Sequence, residues 1–302
     1  MKNLILAAID IGSHNCRLTI VEKNKNNFKV LHNYSHGTNL IKNLSYNNEF
    51  TNINIESTLN CLKKFSEQIK RFKVDNYRCI ATEACRQVVN PEFFVRKVRD
   101  ETGIDIEIIS SYEEAKLSLK SCDRYIDKMR KKGFIFDIGG GSTELTFFDY
   151  KKEIFKTKSI SYGVINLPEK KEVYGSEFVD NELKKHFQMC KNFVDNKSNY
   201  FSIGSCSTVT TLCGVFQELL YFDLKQIEGF CMSGRELLNT ANMISVTSKS
   251  KLKKMPCVGN RYNLLLNGVE ILKYILSIIP IQMIIVSQKG LRDGIVIDLL
   301  KQ

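Results

Sequence analysis

The sequence predicts an α/β fold of two similar lobes with mixed sheets, and three observations carry that prediction. First, a ten-residue segment recurs. Asp10-Ile11-Gly12-Ser13-His14-Asn15-Cys16-Arg17-Leu18-Thr19 returns as Asp137-Ile138-Gly139-Gly140-Gly141-Ser142-Thr143-Glu144-Leu145-Thr146, with Asp, Ile, Gly, Leu and Thr at matching offsets. Second, each copy follows a short apolar run, residues 4–9 and 134–136, so each reads as strand, tight glycine turn, strand. Third, strands and helical patterns alternate after both copies, which is the signature of mixed or parallel sheets covered by helices. Two similar hairpins imply two similar lobes, expected to face each other across a cleft.

The elements follow in order. After the first hairpin the pattern predicts a third strand at 28–34, a helix over 53–72 and a strand at 78–81. Helical patterns cover 83–89 and 91–102, then come a strand at 106–109 and a helix over 111–130. The second lobe repeats the plan: hairpin, third strand at 153–160, helix over 176–194 and strand at 201–203. Helical patterns through 259–279, a strand at 283–286 and a final helix over 291–300 complete it. The lobes are expected at 1–127 and 128–302, with the boundary near 127–132. The C-terminal helix, 290–302, is a candidate to pack back on the first lobe.

Composition sets the class. With 302 residues, 43% hydrophobic and 25% charged, the chain is that of an ordinary globular protein of two lobes. The apolar run at 4–9 is too short for a signal-peptide core and lacks a cleavage site. The longest apolar stretch, 274–286, is broken by Pro280 and Gln282 and falls short of the roughly 20 residues of a spanning helix. A cytoplasmic protein with no membrane partner is therefore expected. The ten cysteines are scattered without C-x-x-C spacing, which suits reduced thiols, and the four histidines form no zinc pattern. A net charge of +11 favours anionic partners, although 128–132 and 249–254 read equally well as solvated basic surface, and no specific nucleic acid is implied.

The chemistry concentrates in the glycine turns. Three successive glycines, Gly139, Gly140 and Gly141, let a backbone approach a ligand closely, and Ser142 adds a hydroxyl donor. Asp137 and Glu144 are carboxylates able to hold Mg²⁺ (or Mn²⁺) directly or through water. The first turn, Gly12-Ser13-His14-Asn15 behind Asp10, is the weaker copy and would be an ordinary turn if it stood alone. Gly204-Ser205-Cys206-Ser207-Thr208 follows a strand and opens a helix, where amides and hydroxyls favour anions; a simple N-cap is the alternative. Glu114 fits a capping box with Ser111, S-x-x-E, and local sequence alone assigns it that role. Arg86 follows a strand end, where it can grip phosphate with its fork or lie on the surface.

Taken together these segments resemble the Ppx/GppA family, exopolyphosphatases and guanosine pentaphosphate phosphohydrolases. The resemblance runs in order through AAIDIGSHNCRL, ATEACRQVVN, IEIISSYEEA, FDIGGGSTELT, YGVINL, SIGSCST, GNRYNLLLNGVEIL and VSQKGLRDGI. It implies the short form: two RNase H-like lobes of the actin/hexokinase/Hsp70 superfamily with an interdomain active site. It implies hydrolysis of a phosphoric anhydride with Mg²⁺, Glu114 as general base and Arg86 as phosphate-binding arginine. Asp137 and Glu144, with Asp10, become the metal carboxylates. Gly12, Ser13, His14, Asn15, Gly139, Gly140, Gly141 and Ser142 cradle phosphate, with Gly204, Ser205, Cys206, Ser207 and Thr208. Polyphosphate or guanosine pentaphosphate (pppGpp) is the implied substrate, and a homodimer is open.

This chain departs from the family's pattern at four places. Its first loop reads Gly12-Ser13-His14-Asn15 where G-S-N-S is usual, and Lys116 replaces the arginine of E-E-A-R, losing a bidentate fork. Ser207 stands for a glycine, and Arg261-Tyr262-Asn263 replaces R-A-D. These changes bear on phosphate affinity and substrate choice, and they leave a catalytically weak polyphosphate or nucleotide sensor as an alternative. A kinase would need an adenosine pocket, for which no glycine-rich segment stands near the C-terminus.

Overall fold

The computed structural model describes residues 4–24, 27–127, 132–194 and 200–301. The chain divides into two units, Met1–Ser121 with Leu291–Gln302, and Cys122–Gly290. The basic run 128–132 lies outside the described residues except for Lys132.

The first unit is built on five strands: β1 (Leu4–Ile11), β2 (Asn15–Lys23), β3 (Phe28–Gly37), β4 (Asn76–Ala81) and β5 (Ile106–Ile108). Their order is β3-β2-β1-β4-β5, with β1, β2 and β3 antiparallel and β1, β4 and β5 parallel. The parallel steps need crossovers, which helices supply. Helix Asn52–Arg71 starts at Thr51, whose side chain accepts from the Asn54 N–H, and ends with Lys70 and Arg71 at its negative pole. It buries Ile55, Leu59, Leu62 and Phe65. Helix Pro91–Thr102 opens on proline and stops at Gly103, which takes φ 70° as a left-handed cap.

The last helix, Leu291–Leu300, belongs to this same unit. Leu291, Ile295, Val296 and Leu299 share one core with Leu6, Ala8, Val21, Ile80, Ile109 and Leu117. Burying four aliphatic side chains contributes roughly 1.5–3 kcal/mol each. Gly294 allows the close approach, since a Cβ there would lie 2.1 Å from the Leu117 carbonyl oxygen. Asp298 adds ion pairs to Arg78, at 3.2 Å, and to Lys120.

The second unit repeats the plan with one strand more. Its strands are β6 (Lys132–Ile138), β7 (Thr143–Asp149), β8 (Ile154–Ile160), β9 (Tyr200–Gly204), β10 (Cys231–Ser233) and β11 (Ile281–Val286), in the order β10-β11-β9-β6-β7-β8. Strands β6, β7 and β8 are antiparallel, β6, β9 and β11 parallel, and β10 is an added antiparallel edge. Both units therefore share the RNase H-like order of three antiparallel strands continued by two parallel ones, which makes the fold α/β with two mixed sheets. Phe134, Phe136, Phe147 and Phe148 are fully buried within the second sheet's core.

The helices differ from expectation in length and number. The helix expected over 111–130 ends at Ser121 and gives way to a short turn, Asp123–Tyr125. There the chain serves a side-chain cluster instead: Glu228 accepts from Tyr125 Oη and Arg124 Nη2, both at 2.6 Å, and from Ser287 Oγ and the Gln288 N–H. A helix at Asn166–Tyr174 and one at Gly234–Val246, the latter capped by a Ser233–Glu236 box, are additional. All ten cysteines are free thiols, nine of them buried. Among the described residues no helix is long and apolar enough to cross a membrane.

Candidate active site

Strand β6 ends in Ile138 and β7 begins at Thr143, so the turn is four residues, closed by the Gly139 N–H donating to the Ser142 carbonyl at 2.9 Å. Asp137 and Glu144 are direct partners across this antiparallel pair. Side chains so paired lie on one face about 5 Å apart, and two like charges there repel unless a cation lies between them. Glu144 is oriented by two hydroxyls, Ser142 Oγ at 2.5 Å and Ser159 Oγ at 3.1 Å.

The glycine loop is held from one side. The carbonyls of Gly139 and Gly140 accept from the Val164 and Ile165 N–H groups, each at 2.9 Å, and the Gly141 carbonyl accepts from Asn166 Nδ2 at 2.8 Å. With the carbonyls turned toward that segment, no backbone acceptor among the described residues takes the N–H groups of Gly140, Gly141 or Ser142. Such an edge of amides is a cradle for an anion. The supporting segment comes very close: a Cβ at Gly163 would stand 2.4 Å from the Gly140 carbonyl carbon.

The metal fit follows from this donor set. Among the described residues no group of three or more His, Cys, Asp or Glu side chains is placed to hold an ion. Two facing carboxylates beside a phosphate cradle suit Mg²⁺, which keeps several waters and completes its shell with substrate oxygens. Asp137 and Glu144 are the residues that fit.

The first hairpin has the same frame and different charges. Opposite Asp10 stands Arg17, where the second hairpin has Glu144, and the two form an ion pair at 3.0 Å. Asp10 thus faces a cation, not a second carboxylate. The loop carbonyls again point to a segment after the third strand: Ser13 accepts from the Ile41 N–H, and His14 from those of Thr38 and Asn39. His14 Nδ1 lies 2.6 Å from Asn39 Oδ1. Burial lowers the His14 pKa from its ordinary value, against the Asn39 bond and with help from Arg17. Arg292, from the last helix, has its pKa lowered by burial and has Asp293, Arg17 and Asp10 as charged neighbours.

The third loop joins β9 to the helix Ser207–Phe216. The simple serine or threonine N-cap, the alternative to an anion loop here, is absent: Cys206 is the N-cap and makes no side-chain capping bond. Ser205, Cys206 and Thr208 are buried and Ser207 is exposed. Burial and then the Asp137 charge push the Cys206 thiol up to about 12, so it stays protonated beside that carboxylate.

Glu114 requires a correction. The capping box expected from Ser111 and Glu114 does not form: Ser110, one residue earlier, accepts from the Glu113 N–H at 3.2 Å. Glu113 pairs with Arg78, and Glu114 accepts from Arg86 Nη2 at 2.9 Å. Arg86 also donates to Glu83 and to the Ile109 carbonyl. Lys116 is exposed on the same helix. Sequence reasoning had no role for Glu83, nor for Gly163, which acts through its missing Cβ, nor for Asn166, whose neutral side-chain amide bonds the Gly141 carbonyl and the Gly163 N–H.

A profile of the Ppx/GppA phosphatase family matches residues 19–302. The chain belongs to this family. Exopolyphosphatase 2 of Mycobacterium tuberculosis is 23% identical over 97% of this chain and 98% of its own length. The bifunctional 3-dehydroquinate synthase/phosphatase of Fusobacterium nucleatum is 31% identical over 98% of this chain, which spans about half, 47%, of that protein. The crystal structure of the Aquifex aeolicus Ppx/GppA family member has the same fold, with a TM-score of 0.80 at 24% identity over 99% of both chains.

Proposed function

We propose that this Ppx/GppA chain is a cytoplasmic exopolyphosphatase that releases terminal orthophosphate from inorganic polyphosphate. The observation that carries the reading is the pairing of Asp137 with Glu144 across a glycine turn whose amide edge is turned away from its own carbonyls. The likeness to an exopolyphosphatase along nearly its whole length supports the same substrate class.

In this reading Asp137 and Glu144 would hold Mg²⁺, which when bound would offset charge on the phosphate oxygens. The amides of Gly140, Gly141 and Ser142, with the hydroxyls of the glycine turns, hold and orient the terminal phosphoryl group. Glu114 takes a proton from the attacking water as its oxygen bonds to phosphorus. The bridging P–O bond then breaks, and the shortened chain leaves as a phosphate oxyanion. Arg86 holds Glu114 in place and meets the incoming phosphate.

The test is phosphate release, read with malachite green in Mg²⁺, from long-chain polyphosphate, guanosine pentaphosphate and ATP in parallel. Release from polyphosphate well above an EDTA control is expected. Release from guanosine pentaphosphate alone would move the chain to the other activity in the family's name. Binding of polyphosphate without any release would make it a sensor.

A further inference from the structure

One cation, Arg86, is shared by two acids, the buried Glu83 and the half-buried Glu114. Of its five guanidinium N–H groups, four are engaged. Nε and Nη2 both reach Glu83 Oε2, at 3.1 and 2.8 Å, Nη2 also reaches Glu114 Oε2 at 2.9 Å, and Nη1 reaches the Ile109 carbonyl at 2.9 Å. The edge of the guanidinium that would grip a phosphate with two parallel bonds is therefore turned onto Glu83. Glu83 is held for this: its side chain is 9% exposed, and its other oxygen accepts from Gln87 Nε2 at 2.7 Å. Burying a second carboxylate beside one already paired with the same arginine costs desolvation that packing alone does not require.

We propose that Glu83 is a positioning residue that competes with phosphate for Arg86 and so sets, and lowers, the anion affinity of the site. This rests on the reading that Arg86 is a phosphate contact. A terminal phosphoryl group must displace Glu83 from Nε and Nη2 to be gripped by the fork. Once the product phosphate loosens, Glu83 retakes those donors and holds them until the next substrate arrives. The Glu114 bond uses a different hydrogen of Nη2 and persists through the exchange.

The experiment is calorimetric titration of the full chain with inorganic phosphate in excess Mg²⁺, comparing wild type with Glu83→Gln, Glu83→Asp and Arg86→Gln. Removing the competing charge in Glu83→Gln should tighten phosphate binding about fivefold, the difference between a charged and a neutral acceptor. Glu83→Asp keeps the charge and should restore near wild-type affinity. A folded Glu83→Gln that binds phosphate no tighter than wild type would overturn the inference, as would Glu83→Asp tightening to the same extent. If Glu83→Gln does not fold, Gln87→Ala frees the far end of Glu83 and should tighten binding in smaller measure; unchanged affinity there would overturn the inference. Arg86→Gln should weaken phosphate binding. Wild-type affinity in Arg86→Gln would remove Arg86 from the phosphate contacts, and the competition with it, whereas weakening without tightening in the Glu83 variants would sink the competition alone.

Discussion

Arg86 Nη2 stands 2.9 Å from Glu114 Oε2, and the helix behind Glu114 is capped by Ser110 instead. The glutamate thus has no capping duty in this helix and is tied to Arg86 instead. Burial works against the charge of Arg86, but Glu114 and Glu83 outweigh it and raise its pKa, so the cation stays in place.

We predict that Glu114→Gln lowers phosphate release by a factor on the order of 10²–10⁴, the loss expected of a general base. The amide still accepts one bond from Arg86, and the Ser110 cap is untouched, so stability should fall by about 1 kcal/mol or less. Polyphosphate binding should persist or tighten, because a negative charge is removed. Wild-type turnover in a folded Glu114→Gln would return the proton transfer to another group.

A second prediction concerns Asp137→Asn. Without metal, two facing carboxylates repel, so neutralising one should leave the melting temperature unchanged or slightly raised. With metal, the wild type should gain thermal stability from Mg²⁺ and the variant should lose most of that gain, along with the Mg²⁺ dependence of activity. An unaltered Mg²⁺-induced thermal shift in Asp137→Asn would remove this residue from the metal site.

The glycine hairpins were legible because their signal is local: Asp, Gly and Ser sit within eight residues and are written twice. The placement of Glu114 was not. Ser110 and Ser111 both precede the helix, and nothing within four residues says which one caps it. The choice is made by Arg78 and Arg86, which are distant in sequence and claim Glu113 and Glu114 respectively. The work of the supporting segments behind the two loops was equally hidden, although one of them lies in YGVINL, a segment that carries the resemblance. Gly163-Val164-Ile165-Asn166 and Thr38-Asn39-Leu40-Ile41 do the same work after the third strand of each unit. Apart from the Asn166 side chain they do it through backbone amides, which any sequence possesses. The helical pattern over 111–130 runs past the end of the helix at Ser121, because its apolar spacing continues beyond the point where Arg124 and Tyr125 turn to Glu228.

A third prediction uses that glutamate. Burial alone would raise its pKa, yet Tyr125, the Gln288 N–H, Arg124 and Ser287 together lower it from 4.5. A carboxylate with a depressed folded value stabilises fully above its unfolded pKa. That contribution is lost as pH falls through the folded value, below about 4.5. Glu228→Gln should therefore be less stable than wild type at pH 7, and the difference between them should shrink toward pH 3. Parallel melting curves that keep a constant gap over that range would exclude Glu228 as a source of acid sensitivity.

The last prediction is at Gly163, where function depends on an absent side chain. A Cβ there would stand 2.4 Å from the Gly140 carbonyl carbon and 2.5 Å from the carbonyl oxygens of Gly139 and Gly140. These are backbone atoms of the glycine turn and cannot swing aside as a side-chain tip does. Two bonds hang on the same approach, from the Val164 and Ile165 N–H groups to those oxygens, and Asn166 Oδ1 holds the Gly163 N–H at 2.7 Å. Gly163→Ala must push the turn away from its support, lengthening those bonds and re-aiming the amides of Gly140 and Gly141. Overpacking of this kind costs roughly 1–3 kcal/mol, so the variant should fold with a lower melting temperature. Its phosphate affinity should fall as well, whereas Gly103→Ala, at a cap with open space around it, should lose stability through its positive φ and keep phosphate affinity. Calorimetric titration with inorganic phosphate beside melting curves separates the two. Unchanged phosphate affinity in Gly163→Ala, at any melting temperature, would show that the glycine turn of the second unit does not hold the anion.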